Sequence, residues 1–387
     1  MSESIQLKTT IGDLLDSQTE RYGEGEALVN VEAGTRFTYR EFKAECDRVA
    51  RGLMALGIEK GQHVGIWATN YSEWVVAQFA TAKIGAVLVT VNPSYRTHEL
   101  EYVLKQSEAN ALILIGQFRT SDYVGMTNEV MPELKDSAPG ELRSSTLPYM
   151  RNVIFISPPS APETKTPDGM WSWKDVREKC SEISKADLAN RQASCDPNDT
   201  INIQYTSGTT GNPKGAMLTH YNLVANGYYT GEGMKFTGED RLCIPVPFYH
   251  CFGCVLGNLA CVTHGSTMVI PSEYFEPLKV LEAVQQEKCT ALHGVPTMFI
   301  AQLGQDRFSD FDLSSLRTGM MAGSPCPIEV MRQVVDQMGA REITIGYGQT
   351  EASPVITLTR TEDTLERRVS TVGTALPNVE VKLVDPE

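Results

Sequence analysis

Several kinds of segment are missing from this sequence of 387 residues. No apolar stretch approaches the length of a membrane span, and the N-terminal residues lack both the basic and the apolar region of a signal peptide. No run of basic residues offsets an acidic balance of 48 Asp and Glu against 34 Lys and Arg, a formal net charge of −14. We therefore expect no transmembrane segment and no binding to nucleic acid.

The nine cysteines are odd in number and scattered along a large chain. This usage favours reduced thiols in the cytoplasm and no structural disulfides. The stretch from Cys251 to His264 contains the pattern C-x₂-C-x₆-C-x₂-H, which suggests zinc ligands. Its six-residue spacer is shorter than in usual zinc sites and has the composition of a buried helix, so we expect these thiols to pack as small hydrophobic groups.

Short apolar runs alternate with longer amphipathic ones, which is the pattern of an α/β protein. A helical spacing over Thr38–Leu56 precedes an apolar run at His63–Trp67, and a second helix near Glu73–Ile84 precedes a run at Ala86–Val91. These two β-helix-β steps predict a parallel sheet covered on both faces. Further predicted strands lie at Thr200–Thr206, Thr267–Ile270, Ala291–His293 and Val379–Val384, and further helices at Val255–Val262, Pro277–Glu287 and Pro327–Met338.

The most informative stretch is YTSGTTGNPKG, residues 205–215. It combines four hydroxyl groups, three glycines and one cation, namely Thr206, Ser207, Thr209 and Thr210, then Gly208, Gly211 and Gly215, and Lys214. Glycines let backbone N–H groups close on an anion, hydroxyls add donors, and lysine adds a point charge. The order of a Walker A motif is absent. The stretch therefore predicts a phosphate-binding loop of another kind.

Two other chemical signatures are absent. Gly346-Tyr347-Gly348 lacks the third glycine of a dinucleotide-binding motif, and no G-x-S-x-G nucleophile elbow is present. The missing nucleophile is informative, because a carboxylate substrate is ionised at neutral pH and can itself attack phosphorus. Such a reaction needs positioning and charge neutralisation rather than a protein nucleophile.

Three further motifs follow YTSGTTGNPKG in the sequence: FYHCFG at 248–253, MAGSP at 321–325 and YGQTE at 347–351. These four motifs, in this order, resemble those of the adenylate-forming (ANL) superfamily, which includes acyl- and aryl-CoA synthetases. The chain resembles this superfamily over essentially its whole length. The segments NPSYRTHELEYVL, IPVPFYHCFG and YGQTEASPV are most similar to medium-chain fatty acyl-CoA synthetases.

The resemblance implies roles for residues of these motifs. The implied catalytic residues are Lys214, Thr350, Glu351 and His250, with Glu351 also holding Mg²⁺. The implied nucleotide-binding residues are Thr206, Ser207, Gly208, Thr209, Thr210, Gly211, Asn212, Pro213, Lys214, Ala322, Gly323, Ser324, Gly346, Tyr347, Gly348 and Thr350. The implied acyl pocket contains Tyr249, His250, Gly253, Ala322, Gly323 and Gln349. Competing interpretations stay open: Glu351 as a solvated helix-cap residue, and His250 as a core histidine bonded to a backbone carbonyl.

The implied fold is α/β: the large N-terminal adenylation domain of the superfamily, with two αβα-type sheet subdomains intergrown with part of a small β-barrel subdomain. The approximate ranges are 1–190 for the first α/β unit, 191–345 for the second unit with the phosphate loop, and 346–387 for the start of the β unit. The superfamily's small C-terminal lid domain has no counterpart in the sequence. We therefore expect a truncated chain or fragment that is impaired in adenylation.

The implied function is that of an acid–thiol ligase that forms AMP. A carboxylic acid, for which we expect a medium-chain fatty acid, reacts with ATP to acyl-AMP and pyrophosphate, and the acyl group then passes to CoA. The implied partners are this acid, ATP and CoA, with Mg²⁺ as cofactor; a homodimer is left open. Two alternatives are an aryl- or branched-acid CoA ligase, and an ATP- and acyl-binding half without turnover. A purely structural protein is a further class.

Overall fold

The computed structural model describes residues 7–206, 211–377 and 379–385. Its strands are β1 (Glu26–Asn30), β2 (Thr35–Thr38), β3 (His63–Trp67), β4 (Val87–Thr90), β5 (Ala111–Ile115), β6 (Gln117–Phe118), β7 (Ser121–Asp122), β8 (Asn152–Ile156), β9 (Trp171–Ser172), β10 (Thr200–Thr206), β11 (Lys214–Thr219), β12 (Arg241–Cys243), β13 (Thr267–Ile270), β14 (Ala291–Gly294), β15 (Thr318–Ala322), β16 (Thr344–Gly348), β17 (Val355–Leu358) and β18 (Thr374–Ala375). Its helices are α1 (Ile11–Tyr22), α2 (Tyr39–Ala55), α3 (Ser72–Ile84), α4 (Thr97–Gln106), α5 (Tyr123–Val130), α6 (Trp173–Glu178), α7 (Lys185–Ala193), α8 (His220–Gly233), α9 (Cys251–Gly253), α10 (Ala260–His264), α11 (Pro277–Glu287), α12 (Pro296–Leu303), α13 (Ile328–Gln337) and α14 (Leu365–Ser370).

Two large sheets organise the described chain. One has the strand order β11-β10-β4-β3-β5-β8-β9, and the other β18-β17-β16-β15-β14-β12-β13-β1-β2. Within the first, β4, β3, β5 and β8 are parallel neighbours, and within the second, β13, β12, β14, β15 and β16 are parallel. Antiparallel strands lie only toward the edges of these sheets as described. The predicted α/β class is confirmed.

The two sheets are intergrown. Strands β1 and β2 precede the first sheet in the chain but pair within the second, where β1 runs parallel to β13. Strands β10 and β11 follow residue 190 but belong to the first sheet, where β10 runs parallel to β4. Strand pairing therefore crosses residues 190 and 345 of the chain.

The polypeptide begins its helices where the sequence supplies side-chain caps. The Thr38 hydroxyl accepts a hydrogen bond from the backbone N–H of Glu41, and the Glu41 carboxylate accepts one from the Thr38 amide, so α2 starts with a capping box. Thr219 and Asn222 do the same for α8. Gly85 ends α3 in the left-handed conformation at φ +69°, which glycine adopts without steric cost. Helix α3 is buried along its whole length, which makes it part of the core shared by the two sheets.

Three elements differ from the sequence predictions. Residues Lys214–Thr219 form β11, which pairs antiparallel with β10, so a strand begins within the stretch 205–215 that we expected to be a loop. The predicted strand Val379–Val384 has no strand pairing, and its side chains are largely exposed. The predicted helix Val255–Val262 is divided into a π-helical turn over Cys254–Leu259 and the short α10. No helix in the described part of the chain is long and apolar enough to cross a membrane.

A four-residue ion-pair network ties β1, β2, β12 and α11 together. Glu287, whose side chain is 5% exposed, receives Arg36 at 2.9 Å and Arg241 at 2.5 Å. Both arginines also pair with Glu26. The hydrogen bond from Arg36 is the main reason that the pKa of Glu287 lies below its usual value.

We expect Glu287→Ala to lower the free energy of unfolding by about 2 kcal/mol, because it leaves two guanidinium groups facing one another beside a single carboxylate. The value is discounted because Arg36 is half exposed. Glu24→Ala removes an ion pair in which both partners are mostly exposed and should cost less than about 0.5 kcal/mol. Equal losses in urea unfolding for the two variants would contradict this account.

Candidate active site

A cleft of about 670 Å³ opens at the carboxyl ends of strands from both sheets. Residues after β4, β10, β15 and β16 reach it, which is where α/β proteins bind ligands. It is lined by Asn92, Tyr95, Tyr205, Thr206, Gly211, Pro213, Tyr249, His250, Cys251, Phe252, Leu256, Met320, Ala322, Gly323, Gly346, Tyr347, Gly348, Gln349, Thr350, Glu351, Pro354 and Val355. Segments of all four sequence motifs therefore meet around one cavity.

Most of the predicted site residues line this cleft, and a few lie elsewhere. Ser207, Gly208, Thr209 and Thr210 fall outside the described residues. Asn212 and Lys214 are exposed beside the cleft. Ser324 lines a second cavity of about 850 Å³, which shares Gly323, Gly346, Tyr347 and Gly348 with the first.

Gly253 is the one expected pocket residue whose position argues against its role. A Cβ at this position would lie 2.4 Å from the carbonyl oxygen of Pro247. Glycine is therefore required there by a backbone contact, and Gly253 is not among the residues lining the cleft. Its place in the acyl pocket, which the motif resemblance implies, stays a prediction.

Strand β10, which leads into the phosphate loop, contacts the YGQTE motif directly. The Thr206 hydroxyl donates to Glu351 Oε1 at 3.3 Å, and Thr350 Oγ1 lies 3.8 Å from the Cys251 sulfur. The carboxylate of Glu351 is exposed to the cleft. These oxygen groups suit an anionic phosphate bridged by a hard cation.

The donor set fits Mg²⁺ bound together with a nucleotide rather than a closed metal site. Among residues 7–206, 211–377 and 379–385, no group of three or more His, Cys, Asp or Glu side chains could hold a metal ion. Mg²⁺ typically takes one or two carboxylates plus phosphate oxygens and waters, and Glu351 supplies one carboxylate. The thiols of the suspected zinc pattern are buried: Cys254 accepts a hydrogen bond from Gln204, and Cys261 donates to the Thr267 carbonyl.

His250 forms the N-cap of the short helix α9. Its Nδ1 accepts a hydrogen bond from the backbone N–H of Phe252 at 3.0 Å, so in the neutral ring the proton is on Nε2. Surrounding protein lowers the pKa of His250 by desolvation, which favours this neutral form. A neutral ring can donate its Nε2–H to a carboxylate oxygen in the cleft. In the competing interpretation, this N–H of a core histidine would instead donate to a backbone carbonyl.

A buried asparagine holds the segment that leads to His250. Asn70, which is 2% exposed, donates through Nδ2 to the carbonyl of Val246 at 3.0 Å and accepts from the Phe248 amide at 2.9 Å. It lies in the turn between β3 and α3, so it joins one sheet to the other. The aromatic–histidine motif is thus positioned by a residue about 180 positions earlier in the sequence.

Helix α4 supports the end of the phosphate loop. The Tyr102 hydroxyl donates to the carbonyl of Pro213 at 3.2 Å, and the Tyr205 hydroxyl donates to the carbonyl of Val103 at 3.4 Å. Burial raises the pKa of Tyr205 to about 12, so its hydroxyl remains a donor at neutral pH. The segment NPSYRTHELEYVL therefore contacts the phosphate loop through a helix packed beside it.

Sequence reasoning missed several residues that line the cleft. Asn92 and Tyr95 follow β4 at its carboxyl end, and this position in a parallel sheet was a usable signal. The apolar lining residues Phe252, Leu256 and Met320 come from three separate elements. Phe252 lies within the FYHCFG motif and Leu256 four residues after it, whereas only packing brings Met320 to them.

The fold and the cleft define an enzyme of the adenylate-forming class. The profile of the AMP-binding enzyme family matches residues 15–387, and the chain belongs to this family. The structure is similar to that of the anthranilate CoA ligase AuaEII in complex with anthranoyl-AMP, with a TM-score of 0.83, 23% identity, and coverage of 99% of this chain and 67% of that one. The resemblance seen in the sequence motifs is confirmed.

Curated relatives are named acyl-CoA synthetases or ligases. The chain is 52% identical to a putative acyl-CoA synthetase, YngI of Bacillus subtilis, over 100% of this chain and 69% of the relative. It is 42% identical to the mitochondrial medium-chain acyl-CoA ligase ACSF2 of Danio rerio, over 98% of this chain and 62% of the relative. The chain thus spans between three fifths and seven tenths of the length of these relatives.

Proposed function

We propose that residues 1–387 are the large adenylation domain of an AMP-forming acid–CoA ligase that acts on a medium-chain fatty acid. The carrying observation is the composition of the cleft: its lining combines hydroxyl and carboxylate groups of Thr206, Thr350 and Glu351 with the apolar side chains of Phe252 and Leu256. A molecule with an anionic phosphate joined to an aliphatic chain matches this composition. The medium-chain relatives support the substrate class, which the cleft alone does not set.

The proposed reaction uses the acid as nucleophile. A carboxylate oxygen attacks the α-phosphorus of ATP, the bond from that phosphorus to the bridging oxygen of pyrophosphate breaks, and acyl-AMP and pyrophosphate result. A CoA thiolate then attacks the acyl carbon and AMP leaves. Positioning of the two reactants accounts for much of the rate in such a step.

Individual residues have stated roles in this proposal. His250 Nε2–H orients the acid carboxylate, Lys214 and the phosphate loop neutralise the phosphates, and Tyr347 with the Ala322 to Ser324 backbone borders the adenine. Glu351 would hold Mg²⁺, which supplies charge neutralisation on the phosphate oxygens when bound. A cytoplasmic location and a homodimer remain predictions from the sequence.

A binding series tests the substrate class. Non-hydrolysable acyl-sulfamoyl adenosines with acyl groups from acetyl to palmitoyl, together with benzoyl and branched analogues, are titrated into the chain by calorimetry. The proposal predicts the tightest binding for medium-length straight chains. Preference for benzoyl or branched analogues would identify the aryl- or branched-acid alternative, and pyrophosphate release assayed in parallel separates binding from turnover.

Glu351→Gln is expected to weaken binding of ATP in the presence of Mg²⁺ by about tenfold or more, because the amide keeps the hydrogen bond to Thr206 but loses the charge that attracts the cation. Binding of AMP without Mg²⁺ should change by less than about twofold. Glu329→Gln, which removes an exposed carboxylate paired with Arg332, is the matched control. Equal weakening with and without Mg²⁺ would remove the metal from the role of Glu351.

A further inference from the structure

The turn over Cys254–Leu259 is π-helical and wholly buried. It joins α9, which carries the aromatic–histidine motif, to α10. A π-helical turn contains one extra residue and has i→i+5 hydrogen bonds in place of the i→i+4 bonds of an α-helix, so contacts from outside the helix help to hold it. Such turns persist where surrounding contacts hold them, and they are frequent at functional sites.

Two side chains from other elements donate to this turn. Gln78 of α3 donates through Nε2 to the carbonyl of Cys254 at 2.9 Å. His293 of β14 donates through Nε2 to the carbonyl of Leu256 at 3.0 Å. Asn258, within the turn, donates to Gln78 Oε1 at 2.9 Å. This bond fixes the orientation of the Gln78 amide, with its nitrogen toward the Cys254 carbonyl.

These contacts connect the turn to apolar residues that line the cleft. Leu256 and Phe252 line the cleft, and the ring of His293 lies 5.2 Å from the ring of Phe252. Met320, another lining residue, is the strand partner of His293 in the β14–β15 pair. His293 is itself completely buried and does not line the cleft.

We propose that His293 and Gln78 are positioning residues that hold the π-helical turn and thereby set the shape of the acid-binding part of the cleft. Loss of either donor removes a hydrogen bond from a buried carbonyl of the turn. If the turn then relaxes to α-helix, the one-residue change in register rotates the side chains that follow by roughly 100° about the helix axis. Leu256 then leaves its place in the cleft wall. This inference rests on the proposed function, because it assigns the apolar lining residues of the cleft to binding of the acid.

The test measures acyl and nucleotide binding separately. Wild type, His293→Phe, His293→Gln and Gln78→Met are each titrated with the acyl-sulfamoyl adenosine series and with AMP. His293→Phe and Gln78→Met are expected to weaken the best-bound analogue by about tenfold and to change which chain length binds best, with AMP affinity within about twofold. His293→Gln keeps an amide donor of similar reach and should restore most of the wild-type profile.

A matched control separates positioning from general destabilisation. His220 is also completely buried and accepts the Ile11 amide at 3.1 Å, but it is not part of the cleft. His220→Phe should lower stability without changing the acyl-length profile.

The outcomes are distinguishable. If wild type binds no acyl analogue, the proposed function fails. If wild type binds them, but His293→Phe and Gln78→Met keep the wild-type length profile or weaken AMP equally, the positioning role is overturned. If His293→Phe does not fold, the same criterion is applied to Gln78→Met, and the proposal is overturned if that variant keeps the wild-type profile.

Discussion

Gly348→Ala is expected to weaken nucleotide binding by about a hundredfold, equal to about 2.7 kcal/mol. A Cβ at this position would lie 2.0 Å from the Pro354 carbonyl oxygen and 2.9 Å from Val355 Cα, and both atoms belong to the backbone. Gly348 pairs with Val355 in the β16–β17 ladder, so the two strands must separate. This movement displaces Tyr347 and Gln349 on either side, which line the cleft.

Calorimetry with AMP, combined with urea unfolding, measures this effect. Gly116→Ala is the control, because a Cβ there meets only Phe155 at 3.5 Å, an ordinary contact. It should bind AMP as wild type does and lose little stability. Wild-type AMP affinity in Gly348→Ala would show that the β16–β17 approach does not shape the site.

Acidification from about pH 6.5 to about pH 4 is expected to destabilise the fold by up to about 3 kcal/mol for each of two buried histidines. Burial lowers the pKa of both His220 and His293 to about 4. The folded state therefore favours the neutral rings, and their contribution to stability is complete above the unfolded pKa near 6.5. It falls steadily as the pH drops toward the folded value, because the unfolded chain takes up the protons first.

His220→Asn isolates one of these contributions. The amide oxygen of asparagine can accept the Ile11 amide in place of His220 Nδ1 but does not titrate. Unfolding free energies between pH 7 and pH 4 should therefore depend less steeply on pH in this variant. Carboxylates with lowered pKa values, such as Glu287, lose their contribution only below about pH 4.5, which separates the two effects. An unchanged slope in His220→Asn would contradict this assignment.

Local patterns in the sequence predicted the regular elements well. The strand His63–Trp67 and the helix Pro277–Glu287 have the expected bounds, because apolar periodicity and a proline at the first helical turn are local signals. The predicted strand Val379–Val384 failed, since alternation alone supplies no partner strand. The π-helical turn was missed because its holders, Gln78 and His293, lie far from it in the sequence.

The candidate site combines residues that sequence motifs predicted with residues that only the fold brings together. Its polar residues belong to short motifs, such as YGQTE, whose residue types indicate their chemistry. Its apolar lining joins Phe252 of the FYHCFG motif to Leu256 and Met320, which lie outside the motifs. Asn70 positions His250 from the other sheet through two buried hydrogen bonds, which no motif predicts. The positions of most polar lining residues were therefore predictable from the sequence, whereas the shape of the cleft was not.

The central claim is that one cleft holds an acyl group and an adenosine phosphate together. Calorimetric titration of the chain with a medium-length acyl-sulfamoyl adenosine, compared with AMP and with the free fatty acid, tests this most directly. The account predicts one bound analogue per chain, at least about tenfold tighter than AMP, as expected when two parts of one cleft are filled at once. Affinity no greater than that of AMP, or no binding at all, would contradict it.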